Sequence, residues 1–386
     1  MKSDWVKAKL GDVCMIERGG SPRPITDYLT DSPDGINWIK IGDAVEGSKY
    51  ITSTSEKIKP EGMKKSRFVK KGDFILSNSM SFGKPYILGI DGCIHDGWLV
   101  IRDKENVFDK SFLYYYLGSE RMYRQFEKLA AGGVVKNLNS HLVRNVDVVI
   151  PPIEEQQRIV DELDLLTDII DKKNAQLRDL DTLAQSIFYE MFGNPVTNDK
   201  GWPKKRIGEL VHLYNGRAFK PTDWTESGLP IVRIQNLNSP DSPYNCYDGV
   251  VDEAYLLKGG ELLYAWSGTP GTSFGAHIWK GEKAVLNQHI FKVLFDEKYL
   301  NKLYFLYQLN LSVSSLFDQT HGGVGLKHIT KGTLENQLVP LPNMELQNSF
   351  AQKVLEIDSE KDRLKCSLLQ TKALLESRMS AYFNTK

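Results

Sequence analysis

The chain has 386 residues, of which 41% are hydrophobic and 25% charged, and its 49 basic side chains balance its 49 acidic ones. This length and composition exclude a small disulfide scaffold, a wholly disordered chain and a membrane-embedded protein. No apolar run approaches the roughly 20 residues of a membrane span, and the segment at Met1 has no apolar signal core, so we predict a cytoplasmic protein without membrane association. The four cysteines form no C-x-x-C pair, which argues against a zinc site.

The balanced charge is unevenly distributed along the chain. Residues 1–153 carry 23 basic and 19 acidic side chains, a net charge of +4, whereas residues 154–192 carry 4 and 10, a net charge of −6. Seven of the basic side chains fall within fifteen positions: Lys57, Lys59, Lys64, Lys65, Arg67, Lys70 and Lys71. This density favours a phosphate-facing edge, and a solvated surface is the alternative.

The sequence repeats itself with a long period. Ile150–Gln156 (IPPIEEQ) matches Leu341–Gln347 (LPNMELQ) at an offset of 191, and Trp5–Val13 matches Trp202–Leu210 at an offset of 197. A repeat of about 190 residues is too long for a solenoid unit. Each copy is therefore predicted to be one globular domain followed by one helix.

Each globular part alternates short strand-like runs with turn residues. Runs such as Phe74–Leu76, Trp98–Ile101 and Val146–Ile150 are rich in β-branched and aromatic residues and are bounded by Gly, Pro, Asn and Asp. Tyr, Phe and Leu recur at helical spacing in segments 111–130 and 296–316. The pattern predicts an α+β protein with two tandem mixed α/β domains.

A long heptad pattern follows each globular part. In the first copy, apolar residues from Ile159 to Met191 alternate at steps of four and three, with Lys173 as the interruption. The second copy is interrupted at Lys361, Thr371 and Arg378. At about 1.5 Å per residue, segment 154–192 gives a rod of roughly 58 Å.

An exposed apolar stripe needs a partner, and the second copy of the helix offers one in the same chain. We therefore predict that the two helices pair as an antiparallel coiled-coil spacer with pseudo-twofold symmetry. The alternative is that each helix folds separately against its own domain. The predicted boundaries are 1–152 for the first globular domain, 153–193 for the first helix, 194–342 for the second globular domain and 343–386 for the second helix.

Several common catalytic motifs are absent from the sequence. There is no G-x-x-x-x-G-K-[ST] loop, no strand-linked G-x-G-x-x-G and no H-E-x-x-H, and the seven histidines are dispersed. We therefore predict no catalytic residue and no metal site in this chain.

Three segments carry a resemblance to a known family. They are Gly132–Asn139 (GGVVKNLN), Ile150–Ile159 (IPPIEEQQRI) and Phe188–Pro195 (FYEMFGNP), and the second copy departs from the pattern at Asn343 and Leu346. Together they make the chain similar, over essentially its full length, to the specificity subunits of type I restriction-modification systems.

The resemblance implies that each globular part is a target-recognition domain that binds one half of a bipartite, asymmetric site on double-stranded DNA. It also implies a non-catalytic subunit that binds no cofactor itself. Two methyltransferase subunits would use S-adenosylmethionine to methylate adenine N6, and restriction subunits would use ATP and Mg²⁺. The alternatives are a tandem-domain scaffold that binds protein or glycan, and an enzyme with an unrecognised site, such as a nuclease with dispersed carboxylates.

Comparison of the two copies yields candidate DNA-contacting residues. Basic residues at matching positions or in the basic run are candidates for phosphate contacts, with solvated turns as the alternative: Lys40, Lys64, Lys65, Arg67, Lys136, Arg233 and Lys327. Polar residues in segments that differ between the copies are candidates for base contacts: Arg23, Asn78, Lys84, Arg217, Lys220, Gln235 and Thr272.

Large aromatic residues divide into two predicted roles. Trp98 and Trp279 are predicted to lie in the core. Phe188, Tyr189 and Phe192, near the end of the first helix, are candidate anchors for a partner subunit, and contact with the neighbouring domain is the alternative.

Overall fold

The computed structural model of the chain describes residues 5–45, 47–78, 82–130, 138–239, 241–268, 274–318 and 327–384. The chain forms two compact units: Met1–Asn174 with Cys366–Lys386, and Ala175–Lys365. Each unit therefore contains one globular part and a segment of each long helix. The domain boundaries predicted above follow chain order and stay a prediction. Within the described ranges, no helix is both long and apolar enough to cross a membrane.

The globular part of the first unit is made of short strands and helices. The strands are β1 (Val6–Lys9), β2 (Cys14–Arg18), β3 (Ile36–Ile39), β4 (Tyr50–Ile51), β5 (Glu56–Ile58), β6 (Arg67–Val69), β7 (Phe74–Ser77), β8 (Pro85–Leu88), β9 (Gly92–Ile94), β10 (Trp98–Asp103) and β11 (Asp147–Ile150). The helices are α1 (Leu10–Val13), α2 (Lys110–Leu117), α3 (Glu120–Ala130) and α4 (Ser140–Arg144). The first long helix, α5 (Ile153–Phe192), follows.

The segment predicted as one helical stretch, 111–130, is two helices. The Asp109 side chain accepts hydrogen bonds from the backbone N–H groups of Ser111 and Phe112 and so begins α2. Gly118 ends α2, and the Ser119 hydroxyl bonds back to the carbonyl of Tyr116 at 2.7 Å. The chain turns here because the backbone groups at the break find partners other than the next helical turn.

The second unit and the second long helix repeat this series. The strands are β12 (Lys204–Arg206), β13 (His212–Asn215), β14 (Leu229–Val232), β15 (Cys246–Tyr247), β16 (Leu256–Leu257), β17 (Leu262–Ala265), β18 (Ser267–Gly268), β19 (Gly275–Ile278), β20 (Ala284–Leu286), β21 (Ile290–Leu294), β22 (Lys327–His328) and β23 (Leu338–Pro340). The helices are α6 (Ile207–Leu210), α7 (Ile234–Asn238), α8 (Lys302–Asp318), α9 (Lys331–Asn336) and α10 (Met344–Phe383).

In the described part of the chain, the sheets of the two units correspond strand by strand, except that β4 and the pair β18-β22 have no counterpart. The first unit has the strand orders β5-β3-β9-β6, β2-β10-β7-β8-β4 and β1-β11, and the second has β15-β14-β20-β16, β13-β21-β17-β19 and β12-β23. In the first sheet of each unit one neighbouring pair is parallel, β3 with β9 and β14 with β20. The shared order confirms the tandem α+β architecture predicted from the repeat.

The long helices run antiparallel where they meet in each unit. In the first unit Arg378 donates a hydrogen bond of 2.9 Å to Glu162, near the start of α5 and the end of α10. In the second unit Lys361 Nζ lies 2.5 Å from Asp181 Oδ1, and the pairing continues towards the end of α5 and the start of α10. The antiparallel pairing predicted from the heptad pattern is confirmed.

The lysine that interrupts the first heptad pattern also joins the helices. Lys173 Nζ donates hydrogen bonds of 2.7 Å to Ser367 Oγ and to Thr371 Oγ1. The polar interruptions of one helix therefore meet polar partners on the other, and a mismatched register would leave them in an apolar seam.

The Glu162 carboxylate makes this helix contact sensitive to acid. Its pKa is lowered because Arg378 and then Tyr382 donate hydrogen bonds to it. A depressed pKa in the folded state stabilises the fold above the unfolded value of about 4.3, and the contribution is lost as the pH falls through the folded value. We expect the unfolding free energy of Glu162→Gln to fall less steeply than that of the unaltered chain between about pH 5 and pH 3. Denaturant titrations at a series of pH values measure this free energy.

Asp168→Asn is the matched control, because Asp168 is exposed and pairs with Lys172 on the same helix at 3.5 Å. The prediction is wrong if Glu162→Gln and Asp168→Asn change the pH dependence of the unfolding free energy below about pH 5 to the same extent.

Two predicted anchor residues lie in the core of the second unit. Phe188 and Phe192 are 0% and 2% exposed, and both pack on Tyr304 and Phe350. The structure therefore rules out these two residues as anchors for a partner subunit and supports the alternative, contact with the neighbouring domain: they fill the space between the two long helices and α8. Tyr189 is 42% exposed and stays a candidate. The prediction of a core position for Trp98 and Trp279 is confirmed, at 0% and 7% exposure.

Candidate nucleic-acid interface

The parallel pairs β3 with β9 and β14 with β20 each bring two loops to one sheet edge. In the first unit Lys40 follows β3, and His95 and Asp96 follow β9. Parallel neighbours end at the same edge. The loops are joined there by a hydrogen bond of 3.0 Å from the His95 N–H to the Ile39 carbonyl.

The second unit repeats this edge with different side chains. Arg233 follows β14, and Asn287 and Gln288 follow β20. The Asn287 N–H donates to the Val232 carbonyl at 3.1 Å, as His95 does to Ile39. Asn287 therefore corresponds to His95, and Gln288 to Asp96.

A glycine in each unit brings a third loop against this edge. A Cβ atom on Gly19 would lie 2.2 Å from the His95 carbonyl oxygen, and one on Gly216 would lie 2.0 Å from the Asn287 carbonyl oxygen. Both contacts are with backbone atoms, so only glycine allows this approach. The segments that follow these glycines, 21–24 and 217–220, contain Arg23, Arg217 and Lys220, which the sequence comparison selected for base contacts.

Asp96 is the centre of the group in the first unit. Its Oδ1 accepts a hydrogen bond of 2.9 Å from Ser21 Oγ and lies 3.0 Å from His95 Nε2. The His95 Nδ1 atom accepts from the Gly97 N–H at 3.0 Å, which places the proton of a neutral ring on Nε2. Among the residues that the structure describes, the other carboxylate oxygen, Oδ2, has longer contacts, 3.6 Å to Arg23 and 3.9 Å to Arg18.

A second carboxylate lies at the same edge. Glu56, on β5, pairs with Lys40 at 2.7 Å. A cavity of about 590 Å³ separates this pair from Asp96, and its wall includes Arg23 and Trp38. We call this group the first-unit cluster: Arg18, Ser21, Arg23, Lys40, Glu56, His95 and Asp96.

The corresponding group in the second unit is built on aromatic rings. The Arg217 guanidinium lies 5.0 Å from the ring centre of Phe219 and 4.7 Å from that of Tyr247, and it donates a 2.9 Å hydrogen bond to the Tyr247 hydroxyl. The Arg233 guanidinium lies 5.7 Å from the ring centre of Trp224, which is 43% exposed. We call this group the second-unit cluster: Arg217, Lys220, Trp224, Arg233, Asn245, Tyr247 and Gln288.

The two clusters differ most in their carboxylates. Glu56 lies opposite Trp38 in the strand register, and Asn245 occupies the same place opposite Ile231. With Gln288 in place of Asp96, both carboxylates of the first-unit cluster are amides in the second. In the part of the chain that the structure describes, Arg217, Lys220 and Arg233 have no ion-pair partner, so their charges are available to an anionic ligand.

Comparison with known proteins shows which family this chain belongs to. A family model described as the type I restriction modification DNA specificity domain matches residues 2–179 and again residues 199–370. The chain belongs to the type I restriction-modification specificity family. The resemblance drawn from the sequence is confirmed, and the two matches follow the tandem repeat.

Individual relatives of this specificity subunit agree with the assignment. It is 22% identical over 394 residues to the MjaVIII specificity subunit of Methanocaldococcus jannaschii, covering 92% of this chain and 86% of that protein. It is 31% identical over 170 residues to the EcoBI specificity subunit of Escherichia coli, covering 42% of this chain and 34% of that one.

Solved structures show the same fold. A chain from a structure concerned with complex assembly and conformational transition of the type I R-M system aligns with a TM-score of 0.61 and 18% identity, covering 99% of this chain and 98% of that chain. The S subunit from M. genitalium aligns with a TM-score of 0.54 and 13% identity, covering 100% and 98%. At these identities the likeness concerns the fold.

The predicted phosphate contacts of the specificity subunit fall in three groups. Lys40 and Arg233 lie in the two clusters described above. Lys64, Lys65 and Arg67 follow one another near β6, where Lys65 donates to the Tyr28 hydroxyl at 2.6 Å and Arg67 pairs with Glu17 at 3.0 Å. Lys136 lies outside the described residues, as does the side chain of Lys327, whose backbone belongs to β22.

The predicted base contacts divide in the same way. Arg23, Arg217 and Lys220 belong to the clusters, and Gln235 is exposed on α7 just after Arg233. Lys84 is exposed elsewhere in the first unit, beside a cavity bounded by α2 and α5. Thr272 lies outside the described residues.

Asn78 is a correction to the predicted base contacts. It is 0% exposed, and its Nδ2 donates a hydrogen bond of 3.0 Å to the Asp96 carbonyl oxygen. Its backbone N–H and carbonyl pair with Gly97 and Leu138. Asn78 therefore supports the loop that carries Asp96 and does not face a ligand.

The sequence comparison missed the acidic and amide members of the clusters. The carboxylates Glu56 and Asp96 were not selected, because cations were expected at a phosphate-binding surface. The amides Asn245 and Gln288 were not selected, because only the strand register brings them to the recognition edge. A usable signal is present for Asp96, because the polar pair His95-Asp96 lies just before the strand-like run Trp98–Ile101.

Proposed function

We propose that this specificity subunit binds a bipartite, asymmetric DNA site, with one half of the site contacted by each globular part. The observation that carries the proposal is the pair of clusters. One strand framework presents, at the same sheet edge, two sets of side chains with different hydrogen-bonding chemistry. Two copies of one strand framework that carry different base-contacting side chains suit a DNA site whose two halves differ in sequence.

The side chains at the two edges match the groups that DNA offers. Arginine and lysine bind phosphate oxygens and the acceptor edge of guanine, glutamine pairs with adenine, and carboxylates accept from amino groups of bases. We assign Arg23, Arg217 and Lys220 to base edges or nearby phosphates, and Lys40 and Arg233 to phosphates. Lys64, Lys65 and Arg67 would extend the phosphate contact of the first unit.

We further propose that the chemistry is carried out by partner subunits. Two methyltransferase subunits would bind S-adenosylmethionine and methylate adenine N6, and restriction subunits would use ATP and Mg²⁺. Tyr189, exposed near the end of α5, remains a candidate contact for such a subunit.

Sequencing of modified bases tests the proposal. Single-molecule sequencing of DNA from cells that express this chain with its cognate methyltransferase should show a split motif with methyladenine on both strands. Cells that lack the chain should not show it. Exchange of residues 1–150 for the equivalent part of another specificity subunit should change one half of the motif and leave the other half intact.

The opposite result has a defined meaning. If a stable and active methyltransferase complex shows no modification that depends on this chain, the assignment to DNA recognition fails. A scaffold that binds protein or glycan would then take its place.

A further inference from the structure

The two clusters hold a carboxylate and an amide at one structural position. Gly97 and His289 each accept a backbone hydrogen bond from the end of a neighbouring strand, through Asn78 and Trp266. Together with the bonds to Ile39 and Val232, these contacts fix the register of both loops without a gap. Asp96 and Gln288 are therefore equivalent residues.

The two oxygens of Asp96 are in different environments. Oδ1 is engaged by Ser21 at 2.9 Å and by His95 at 3.0 Å. Oδ2 lies 3.6 Å from the Arg23 guanidinium, beyond ordinary hydrogen-bond distance, so it keeps lone pairs for another donor. The carboxylate is 28% exposed at the cavity, whereas the Arg23 side chain is 82% exposed. Asp96 is thus a preorganised acceptor beside the cavity, and its Oδ2 atom makes no hydrogen bond with the residues that the structure describes.

Gln288 has a different capacity. Its backbone N–H donates to the Arg217 carbonyl at 2.8 Å, which fixes the loop. The side-chain amide is half-buried and makes no hydrogen bond with the residues that the structure describes. An amide offers one acceptor and two donor hydrogens, whereas a carboxylate offers acceptors alone.

We propose that Asp96 and Gln288 are equivalent specificity-determining residues, one for each half-site. Asp96 selects a base with an exocyclic amino group at its major-groove edge, cytosine or adenine, and rejects a base that presents a carbonyl oxygen at that place. Gln288 selects adenine, whose N6 amino group and N7 atom match an amide. This inference rests on the proposed function, and it adds the class of base that each unit recognises.

The structure predicts the direction in which Asp96→Asn changes the base preference. In Asp96→Asn, the new NH₂ group is directed to the place of Oδ2, because Ser21 donates to the other oxygen, which also lies 3.0 Å from His95 Nε2. The acceptor at the place of Oδ2 becomes a donor. We expect the modified motif to change at one position of the first unit's half, towards guanine or thymine, with a change in base preference of about 10- to 100-fold.

Two variants serve as controls. Gln288→Glu should alter the other half of the motif and leave the first unit's half unchanged. Asp34→Asn removes the same charge from an exposed turn of the first unit and should leave the whole motif unchanged. The exchange of residues 1–150 identifies beforehand which half belongs to the first unit.

The outcomes separate this inference from the function on which it rests. If the unaltered chain gives no split motif, the proposed function fails. If it gives one and Asp96→Asn leaves both halves unchanged, or if Asp34→Asn has the same effect, the role of Asp96 is refuted and the function stands.

A loss of all modification by Asp96→Asn is resolved by a binding assay. The variant complex is titrated with duplexes that carry each base in turn at every position of the first unit's half. A changed ranking at one position supports the role of Asp96. Equal weakening on every duplex overturns it.

Discussion

Gly216→Ala is expected to abolish site-specific modification, because the added methyl group cannot be accommodated at the recognition edge of the second unit. The new Cβ atom would lie 2.0 Å from the Asn287 carbonyl oxygen and 2.7 Å from that of Leu286. Both atoms belong to backbone, so either the loop after β20 or the segment that begins with Arg217 must move. Loss of two or more base contacts, at about 1–3 kcal/mol each, weakens specific binding by roughly 100-fold or more.

Competition binding with specific and nonspecific duplexes measures this effect. Gly332→Ala, in α9 of the same unit, is the matched control, since a Cβ atom there meets nothing within 4 Å. Gly19→Ala should weaken specific binding in the same way through the first unit, because its Cβ atom would lie 2.2 Å from the His95 carbonyl oxygen. Gly42→Ala should leave binding unchanged, because a Cβ atom there meets nothing within 4 Å. Unchanged discrimination by Gly216→Ala, at an unchanged melting temperature, would show that this loop does not contact DNA.

The architecture was largely predictable because its signals are periodic and extend over many residues. The heptad pattern indicated two long helices, and the structure has them at Ile153–Phe192 and Met344–Phe383. The lysine at position 173, noted as an interruption, becomes an interhelical contact. Repetition of the whole pattern at an offset near 191 indicated that the same fold occurs twice.

Individual side chains were harder to place, because burial depends on partners that are distant in sequence. Phe188 lies outside the heptad seam and therefore resembled a surface residue. Its burial is produced by Tyr304, more than a hundred residues away. Asn78 follows a strand and has the composition of a loop, but the carbonyl of Asp96 holds it inside.

The recognition clusters could not be predicted for the same reason. Asp96 and Glu56 meet at one edge because β9 pairs in parallel with β3 while β5 flanks β3 on the other side. Parallel strands are joined by a crossover connection, so the register of the pair cannot be predicted from the residues of either strand alone. Only the register shows that Gln288 and Asn245 take the same places in the second unit.

The second-unit cluster is expected to contribute more to the salt dependence of DNA binding than the first. Its cations Arg217, Lys220 and Arg233 have no carboxylate partner within the described part of the chain. In the first unit Lys40 is already neutralised by Glu56 at 2.7 Å. A cation that contacts phosphate releases a counterion, whereas one that is already paired must first break its ion pair.

The measurement is the slope of log K against log salt concentration for the assembled complex. The triple variant R217Q/K220Q/R233Q should reduce the magnitude of this negative slope by about 2 to 3, which is close to 0.9 for each lost phosphate contact. R23Q/K40Q should reduce it by less, because each of these cations already faces a carboxylate. Glu56→Gln should increase the slope by releasing Lys40 to bind phosphate. Equal reductions from both cation variants would mean that the carboxylates do not distinguish the two units, and the contrast between the clusters would have no role in DNA binding.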